Sequence, residues 1–294
     1  MHTASGTPYG KSGDHQMNKN IKNGVEYLTF NNLSRIEGIR HAFSTRRGGV
    51  SEGIYSTMNL GYTRGDIKEN VDENYRRMAK VLDCDSSCFV LSHQTHTVDV
   101  RLVTDSDKGC GITRPLEYSD IDGLITDTPG IVLVTLYADC VPLFFVDPVR
   151  KAVGLSHSGW RGTVNRMGKA TVNAMREHFG TEPHDLVCGI GPCICMDCYE
   201  ISEDVADEFT KEFPGCLLSA GDTISDHTFL RDKGNGKYLL DLRAANRLIM
   251  LEAGVPEENI ELPGICTCHN PDYLFSHRAT GGKRGNLAAF LGLL

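Results

Sequence analysis

The sequence predicts an α+β (mixed α/β) fold, with mixed β-sheets flanked by helices in a single domain. Three short apolar runs lie between residues 131 and 155, and each is bounded by a polar or glycine-containing turn, which is typical of buried strands. Residues 66–82 and 241–254 instead repeat apolar side chains at helical spacing. The 294 residues contain no repeat of solenoid period and no Pro- or Ser-rich linker, which favours one domain.

Composition limits the classes of function. The formal net charge of −8 provides no basic field for a polyanion, so we expect no nucleic-acid partner. No apolar run approaches the roughly 18 to 20 residues of a membrane span, so we expect a soluble, cytoplasmic protein without a membrane partner. The 11 cysteines are odd in number and several lie in apolar runs, which favours free thiols in a reducing compartment.

The N-terminal part of the chain combines a polar tail with a glycine-rich loop. Residues 1–23 predict a disordered tail, and residues 24–294 the globular domain. Two strands follow, the second leading into a loop that carries Arg46, Ser51 and Asn59. Backbone amides and the Arg46 guanidinium could hold an oxyanion there. Taken alone, this stretch favours a surface hairpin with solvated arginines.

The next segments predict a scaffold helix and two polar pairs. Residues 66–82 are predicted to form a helix with Asp66 as its N-cap. Its apolar face is formed by Val71, Tyr75, Met78 and Leu82. His93 and His96 lie between two strands, and residues three apart in an extended chain point in opposite directions, so one is a ligand candidate and the other a bystander. Asp120 and Asp122 precede another strand, and Asp-x-Asp-Gly there predicts a turn.

The central stretch, residues 131–162, carries the polar groups that are hardest to explain structurally. Asp139 and Cys140 lie between the first two apolar runs, and His157 follows the third. Burying such groups costs several kcal/mol unless they are paired or bind a metal, so chemistry is expected here. Gly162 is predicted to open a helix to about Phe179, which places Arg161 and backbone donors at a strand-to-helix turn.

Cysteines are also concentrated further along the chain. Cys188, Cys193, Cys195 and Cys198 include a Cys-x-Cys-x-x-Cys pattern, but no second half follows at zinc-ribbon spacing. Buried thiols are therefore favoured over a second zinc site. The C-terminal segment adds a further group of polar residues around a strand and a glycine-rich turn, namely Cys266, Cys268, His269, His277, Arg278 and Arg284.

His96, Cys140 and His157 together suggest a metal site. Zinc accepts mixed nitrogen and sulfur ligands, and three protein ligands leave a fourth position for water or substrate, the catalytic arrangement. Spacing alone supports this weakly, because a single Cys or His in a core is usually inert.

Six motifs in order resemble the laccase-domain family, first called multicopper polyphenol oxidoreductases and also described as zinc-dependent purine nucleoside phosphorylases. The resemblance covers about Arg40 to the C-terminus. Its motifs are HAFSTRRGGVSEGIYSTMNLG, the QTH of SHQTHT, ADCVP, HSGWRG, GPCICMDCYE and CTCHNPDYLFSHR.

The resemblance assigns roles to individual residues. The zinc ligands fall on His96, Cys140 and His157, and His93 becomes the bystander. The first-loop arginine falls on Arg46, the Asn-Leu asparagine on Asn59 and the late Ser-x-Arg arginine on Arg278. Departures from the family pattern occur at four positions: Thr97, Ser158, Cys195 and Ala279. Thr97 would narrow the approach to the metal, and Ala279 would alter phosphate affinity or substrate preference.

The implied activity is purine nucleoside chemistry at one zinc site. It comprises phosphorolysis of inosine, guanosine, adenosine and methylthioadenosine, and deamination of adenosine. Asp139 is a candidate proton donor or orienting group. Arg46 and Asn59 complete the catalytic set, and both are expected to bind substrate together with Arg161 and Arg278. Purine nucleosides and phosphate are therefore the expected partners.

Three other functions remain open. A copper-dependent polyphenol oxidase is the older family label, and Cu²⁺ would compete for the same ligands. A cysteine hydrolase would use Cys140 with His157. A non-catalytic binding module would close a structural zinc site with a fourth ligand such as His93 or Cys268.

Overall fold

Two six-stranded β-sheets pack face to face in the computed structural model of the protein, which describes residues 17–218 and 227–293. The strands are β1 (Asn18–Lys22), β2 (Val25–Thr29), β3 (Ile39–Ser44), β4 (Phe89–Leu91), β5 (Val100–Leu102), β6 (Gly123–Thr126), β7 (Val132–Tyr137), β8 (Val141–Asp147), β9 (Ala152–Ser158), β10 (Val187–Ile190), β11 (Glu200–Ser202), β12 (Leu217–Leu218), β13 (Leu230–Gly234), β14 (Lys237–Leu240), β15 (Ile260–Glu261) and β16 (Leu287–Leu293). The α-helices are α1 (Lys68–Val81), α2 (Trp160–Val164), α3 (Met167–Phe179), α4 (Glu203–Glu212), α5 (Leu242–Glu252) and α6 (His277–Thr280).

The sheets are mixed and are connected by long crossovers. The first sheet has the order β1-β2-β3-β16-β7-β4, and the second β15-β10-β8-β9-β6-β5. A smaller third sheet has the order β11-β14-β13-β12. Strand β16 pairs antiparallel with both β3 and β7, so the end of the described chain lies inside the first sheet. The fold is a single mixed α/β domain, as the sequence predicts.

Strand β8 shows why the central apolar runs are continuous. Phe144 and Val146 point into the core between the two large sheets, whereas Leu143 and Phe145 point to the opposite side, where α3 and α5 lie. Side chains alternate along a strand, so a strand covered on both sides needs apolar residues at every position. The first sheet is covered on its outer side by α1, through Val71, Tyr75, Met78 and Leu82.

The same alternation orients the candidate metal ligand on β9. Val153 and Leu155 belong to the core between the large sheets, and His157 continues their side of the strand. The antiparallel register pairs Val141 of β8 with Ser158 of β9. Cys140, which precedes β8, and His157 therefore lie at the same end of the β8–β9 hairpin.

Two elements differ from the sequence prediction. The predicted disordered tail of residues 1–23 is wrong over β1, which pairs antiparallel with β2; residues 1–16 lie outside the described part of the chain. The single helix predicted from Gly162 to about Phe179 is also wrong, because α2 and α3 are separated at Asn165 and Arg166. Arg166 adopts the left-handed conformation, with φ of 62°, and pairs with Glu212 and Glu252. This pairing with two other helices stabilises the break.

No helix among the described residues has both the length and the apolar character needed to cross a membrane. All 11 cysteines are described, and each is a free thiol.

Candidate active site

His96, Cys140 and His157 converge at one end of the β8–β9 hairpin. One ligand atom from each residue lies within 4.8 Å of the other two. The imidazole rings of His96 and His157 have centroids 5.0 Å apart and planes inclined by 76°. His157 is buried, Cys140 is half-buried and His96 is exposed, so the group opens to solvent on the His96 side. Two imidazoles and a thiol in this arrangement can hold a metal ion.

The backbone is strained where two of these groups are presented. His96 has a φ of 69° and Asp139, just before Cys140, a φ of 90°. Residues other than glycine rarely adopt the left-handed region, and such strain is concentrated at functional sites. The first turn presents His96, and the second presents Cys140, to the group that includes His157.

Cys140 and His157 each shift the pKa of the other toward its charged form. Burial disfavours the Cys140 thiolate, but the charge and hydrogen bond of His157, with a smaller contribution from His96, lower the pKa of Cys140 to about 6. Burial likewise disfavours the imidazolium of His157, but Cys140 and Asp122 raise the pKa of His157 to about 9. A thiolate at neutral pH is the form that binds metals and acts as a nucleophile.

Asp122 orients both sides of the site. Its carboxylate is fully buried and accepts hydrogen bonds from Nδ1 of His157 at 2.7 Å and from the amides of Thr95 at 2.9 Å and Thr97 at 3.0 Å. With Nδ1 engaged, Nε2 of His157 is left to face Cys140. Burial alone would raise the pKa of Asp122, but His157 and the two amides lower it.

The prediction that Asp120 and Asp122 only form a turn is therefore wrong for Asp122, although Asp120 does adopt a turn conformation, with φ of 58°. A signal was present in the sequence, since an acid that directly precedes a buried apolar strand must be paired or solvated.

Asp122→Asn is expected to lower the metal affinity of the site by about 10- to 100-fold, the usual effect of removing a carboxylate behind a ligating histidine. The NH₂ group of the asparagine would then face at least one of the donors from which the Asp122 carboxylate now accepts a hydrogen bond. Competition with a chromophoric chelator measures the affinity. Asp120→Asn is the matched control, because its exposed carboxylate accepts from the hydroxyl of Thr95 and should leave affinity unchanged. Equal affinity in Asp122→Asn and the wild type would contradict the orienting role.

Gly159 allows the ligands to approach each other closely. A Cβ atom at this position would lie 2.8 Å from Cδ2 of His96 and 3.1 Å from Sγ of Cys140. Such distances are shorter than ordinary van der Waals contact, so any side chain here must displace both ligands.

Gly159→Ala is accordingly expected to weaken metal binding by about 10-fold or more, because a ligand set displaced by a fraction of an ångström loses its geometry. Gly162→Ala is the matched control from the same turn, since its Cβ would meet no atom closer than 3.5 Å. Isothermal titration with Zn²⁺ on both variants distinguishes the two positions. A Gly159→Ala protein with wild-type affinity would show that metal binding does not require the close approach of His96 and Cys140 at this position.

The carboxylate of Asp139 is engaged by the C-terminal segment. It accepts hydrogen bonds from the hydroxyl of Thr267 at 2.6 Å and from the amide of Arg278 at 2.7 Å. Its own backbone carbonyl accepts from the amide of Ile194. Asp139 thus connects the turn before Cys140 to the C-terminal segment and to the segment around Ile194.

Arg46 and Asn59 lie in the predicted loop, with most of their polar atoms engaged. Arg46 donates to the backbone carbonyls of Ser56 and Pro271, and its guanidinium lies 4.5 Å from the centre of the Phe275 ring. Asn59 is fully buried; its oxygen accepts from the amides of Gly61 and Asn286, and its nitrogen donates to Gly61 and Asp66. These contacts fix the loop against the segment before β16.

Arg161 and Arg278 are exposed and each stacks on an aromatic ring. Arg161 lies over Trp160, with its guanidinium carbon 4.3 Å from the ring centre. Arg278 donates to the carbonyls of Cys198 and Glu200 and lies over Tyr199. Tyr199 is close enough to Cys140 and to both arginines for their charges to affect its pKa, which burial raises. The two arginines therefore lie in the neighbourhood of Tyr199, which is itself near Cys140.

Arg284 is a further cation, which the sequence placed in the C-terminal group of polar residues without assigning it a role. It is 7% exposed, and its Nε has no hydrogen-bond partner among the described residues. Burial, and then the charge of Arg64, lower its pKa to about 10, and Asp139 and Cys140 are also near enough to act on it. The available signal was a basic residue three positions before the apolar strand LAAFLGL. A buried, incompletely paired guanidinium beside the candidate site can bind an anion.

His93 does not join the metal-binding group. Its Nδ1 accepts a hydrogen bond from the amide of Asp120 at 3.1 Å. Within residues 17–218 and 227–293, no fourth His, Cys, Asp or Glu lies with His96, Cys140 and His157. A site closed by His93 or Cys268, as a purely structural zinc would require, is therefore not observed in the described chain.

Comparisons with known proteins identify the family of the chain. The family described as multi-copper polyphenol oxidoreductase laccase matches residues 40–294. A Bacillus subtilis protein named purine nucleoside phosphorylase YlmD is 34% identical over 252 residues, covering 85% of this chain and 87% of the relative.

A second relative and a solved structure extend the comparison. A protein from an unknown prokaryotic organism, named adenosine deaminase RL5, is 34% identical over 263 residues, covering 89% of this chain and 95% of its own. The crystal structure of YlmD from Geobacillus stearothermophilus superposes with a TM-score of 0.83 at 32% identity, covering 95% of this chain and 99% of that one. The chain therefore belongs to the multi-copper polyphenol oxidoreductase laccase family.

Proposed function

We propose that the protein is a zinc-dependent enzyme that acts on purine nucleosides, by phosphorolysis of inosine, guanosine, adenosine and methylthioadenosine and by deamination of adenosine. The observation that carries the proposal is the convergence of His96, Cys140 and His157 with one side open to solvent. The names of the relatives, purine nucleoside phosphorylase and adenosine deaminase, support the substrate class.

The donor set fits zinc. A thiolate and two imidazoles suit its preference for sulfur and nitrogen, and Asp122 behind His157 is the carboxylate that often supports a zinc-bound histidine. When bound, zinc supplies a Lewis acid that polarises a substrate oxygen or activates water. His96, Cys140 and His157 would hold the ion, and the hydrogen bond of Asp122 to Nδ1 of His157 would leave Nε2 available as the ligand atom.

Phosphorolysis also requires an anion held beside the ribose. We propose that Arg284, with Arg64 next to it, takes this role in preference to Arg46. Nε and Nη1 of Arg46 donate to backbone carbonyls, whereas Arg284 uses Nη1 for the carbonyl of Gly285 and the side chain of Asn286, and its buried Nε has no partner among the described residues. Arg161 and Arg278 then contact the exposed part of the substrate at the opening.

Asp139 and Asn59 are positioning residues in this proposal, because they hold other segments of the site in place. Both carboxylate oxygens of Asp139 accept hydrogen bonds from the C-terminal segment, so Asp139 holds that segment beside Cys140. Asn59 is buried and joins the Arg64 loop to the residues around Arg284. These contacts favour a positioning role over proton transfer for Asp139 and over direct substrate contact for Asn59.

A panel of purine nucleosides, assayed with and without phosphate, tests the proposal. Chromatography separates the free base, which reports phosphorolysis, from the deaminated nucleoside. We expect free base to form only with phosphate, and inosine to form from adenosine without it. Zinc-loaded protein that converts none of the nucleosides would contradict the proposal.

Copper is the competing metal, because Cu²⁺ binds such ligands more tightly than Zn²⁺. Metal analysis of protein purified without added copper distinguishes the two. Stoichiometric copper without zinc, together with oxidation of phenols, would favour the polyphenol oxidase instead.

One further observation favours a second candidate function. Asp122, His157 and Cys140 are arranged as acid, imidazole and thiol, and Cys140 carries a lowered pKa. This is the order found in cysteine hydrolases. A hydrolase would keep its activity after chelation and lose it on alkylation of Cys140, whereas the zinc enzyme loses activity on chelation and regains it with Zn²⁺.

A further inference from the structure

Four metal-ligating side chains come together at a second place, outside the candidate active site. Cys195, Cys198, Cys266 and His269, which we name the Cys–His cluster, each offer one ligand atom within 4.8 Å of the others. Sγ of Cys195 lies 3.7 Å from Nδ1 of His269. None of the three thiols is in a disulfide.

Two short turns build the cluster. The first runs from Cys195 to Cys198, where the amide of Cys198 donates to the carbonyl of Cys195 at 3.1 Å. The second runs from Cys266 to His269, where the amide of Cys195 donates to Sγ of Cys266 at 3.3 Å. Each turn contributes two ligands separated by two residues, the spacing that structural zinc sites use. The second half that the sequence around Cys198 lacked is thus supplied by a distant segment.

The distances suit one small ion. A tetrahedral Zn²⁺ with bonds of about 2.3 Å to sulfur holds its ligands about 3.8 Å apart, which lies within the observed spacing. Three sulfurs and one imidazole nitrogen also occupy all four positions, so no place remains for substrate. Four protein ligands are the mark of a structural rather than a catalytic site.

The cluster lies where a crosslink would stabilise the active site. The backbones of Cys193 and Cys266 form an isolated parallel β-bridge between the two segments, and the amide of Thr267 donates to the carbonyl of Cys193 at 3.1 Å. The hydroxyl of Thr267 binds Asp139, which directly precedes Cys140. Arg278 binds the carbonyl of Cys198. An ion in the cluster would therefore fix Thr267, which binds Asp139, and the carbonyl of Cys198, which binds Arg278.

We propose that Cys195, Cys198, Cys266 and His269 bind a second zinc ion, a structural one that joins residues 195–198 to residues 266–269. This site does not depend on the proposed function, because its ligands are separate from those of the candidate active site.

Metal analysis of the full chain, purified with reductant and without chelator, tests the site. We expect about two zinc ions per chain in the wild type and about one in Cys195→Ser or His269→Ala, since each loses one ligand of a closed tetrahedron. Cys268→Ser is the matched control, because Cys268 lies between the two ligands in sequence but outside the cluster, and it should keep both ions. His96→Ala should also keep one ion, the one in the cluster.

A conservative variant and a spectrum separate ligand loss from misfolding. His269→Cys should retain the second ion, because a Cys-x-x-Cys turn offers the same donor position. Co²⁺ substituted into the wild type should show strong sulfur-to-metal charge transfer, which persists in Cys140→Ser and falls in Cys195→Ser. One ion per chain in the wild type with no change in Cys195→Ser would overturn the proposal, as would a Cys195–Cys266 disulfide or iron with labile sulfide at this place.

Discussion

Replacing His96, Cys140 or His157 with alanine is expected to abolish metal binding at the active site and to lower purine nucleoside turnover by about 1,000-fold or more, since each change removes one of three ligands of a catalytic metal. The three side chains act as a unit, so double variants should be scarcely worse than single ones. Metal content and turnover are measured on the same preparations.

His93→Ala provides the control for these variants. His93 lies three residues from His96 but binds the amide of Asp120 instead, so its loss should leave the active-site metal in place. A His96→Ala protein that lacks this metal yet turns over nucleosides at the wild-type rate would separate the metal from catalysis.

Arg284→Ala is expected to reduce phosphorolysis by about 100-fold, mainly through a higher KM for phosphate, because a charge-assisted contact to the anion is lost. Deamination of adenosine, which needs no phosphate, should change much less. Arg284→Lys keeps the positive charge but loses the planar guanidinium, so its KM for phosphate should fall between those of the wild type and Arg284→Ala. Steady-state kinetics at varied phosphate concentration measures the KM of each protein.

Variants of two other arginines serve as comparisons for Arg284→Ala. Arg46→Ala should weaken the loop that Arg46 fixes to Ser56 and Pro271, with a smaller effect on the KM for phosphate. Arg176→Ala, at an exposed position on α3, should leave the kinetics unchanged. If Arg46→Ala raised the KM for phosphate and Arg284→Ala did not, the original assignment of Arg46 would hold.

The strands around the site could be predicted from the sequence because their burial leaves a simple pattern. The runs that became β7, β8 and β9 are apolar at nearly every position, as strands covered on both sides must be. The ends of these strands then bring Cys140 and His157 together. His96 could be separated from His93 only through the family resemblance, since spacing alone left either one open.

Other features depended on contacts that local sequence does not encode. Asp122 looks like a turn residue until β6 is placed beside β9 and brings it to Nδ1 of His157. The Cys–His cluster requires Cys266 to lie next to Cys195, which only the packed fold reveals. Residues 18–22 are polar and carry no strand pattern, yet they pair with β2 at the edge of the first sheet.

X-ray diffraction measured on both sides of the zinc absorption edge tests the central claim most directly. We predict an anomalous peak bonded to His96, Cys140 and Nε2 of His157, with a fourth position that no protein atom fills and that a nucleoside or phosphate can reach. The absence of metal at these three side chains in active crystals, or a fourth protein ligand closing the position, would contradict the account.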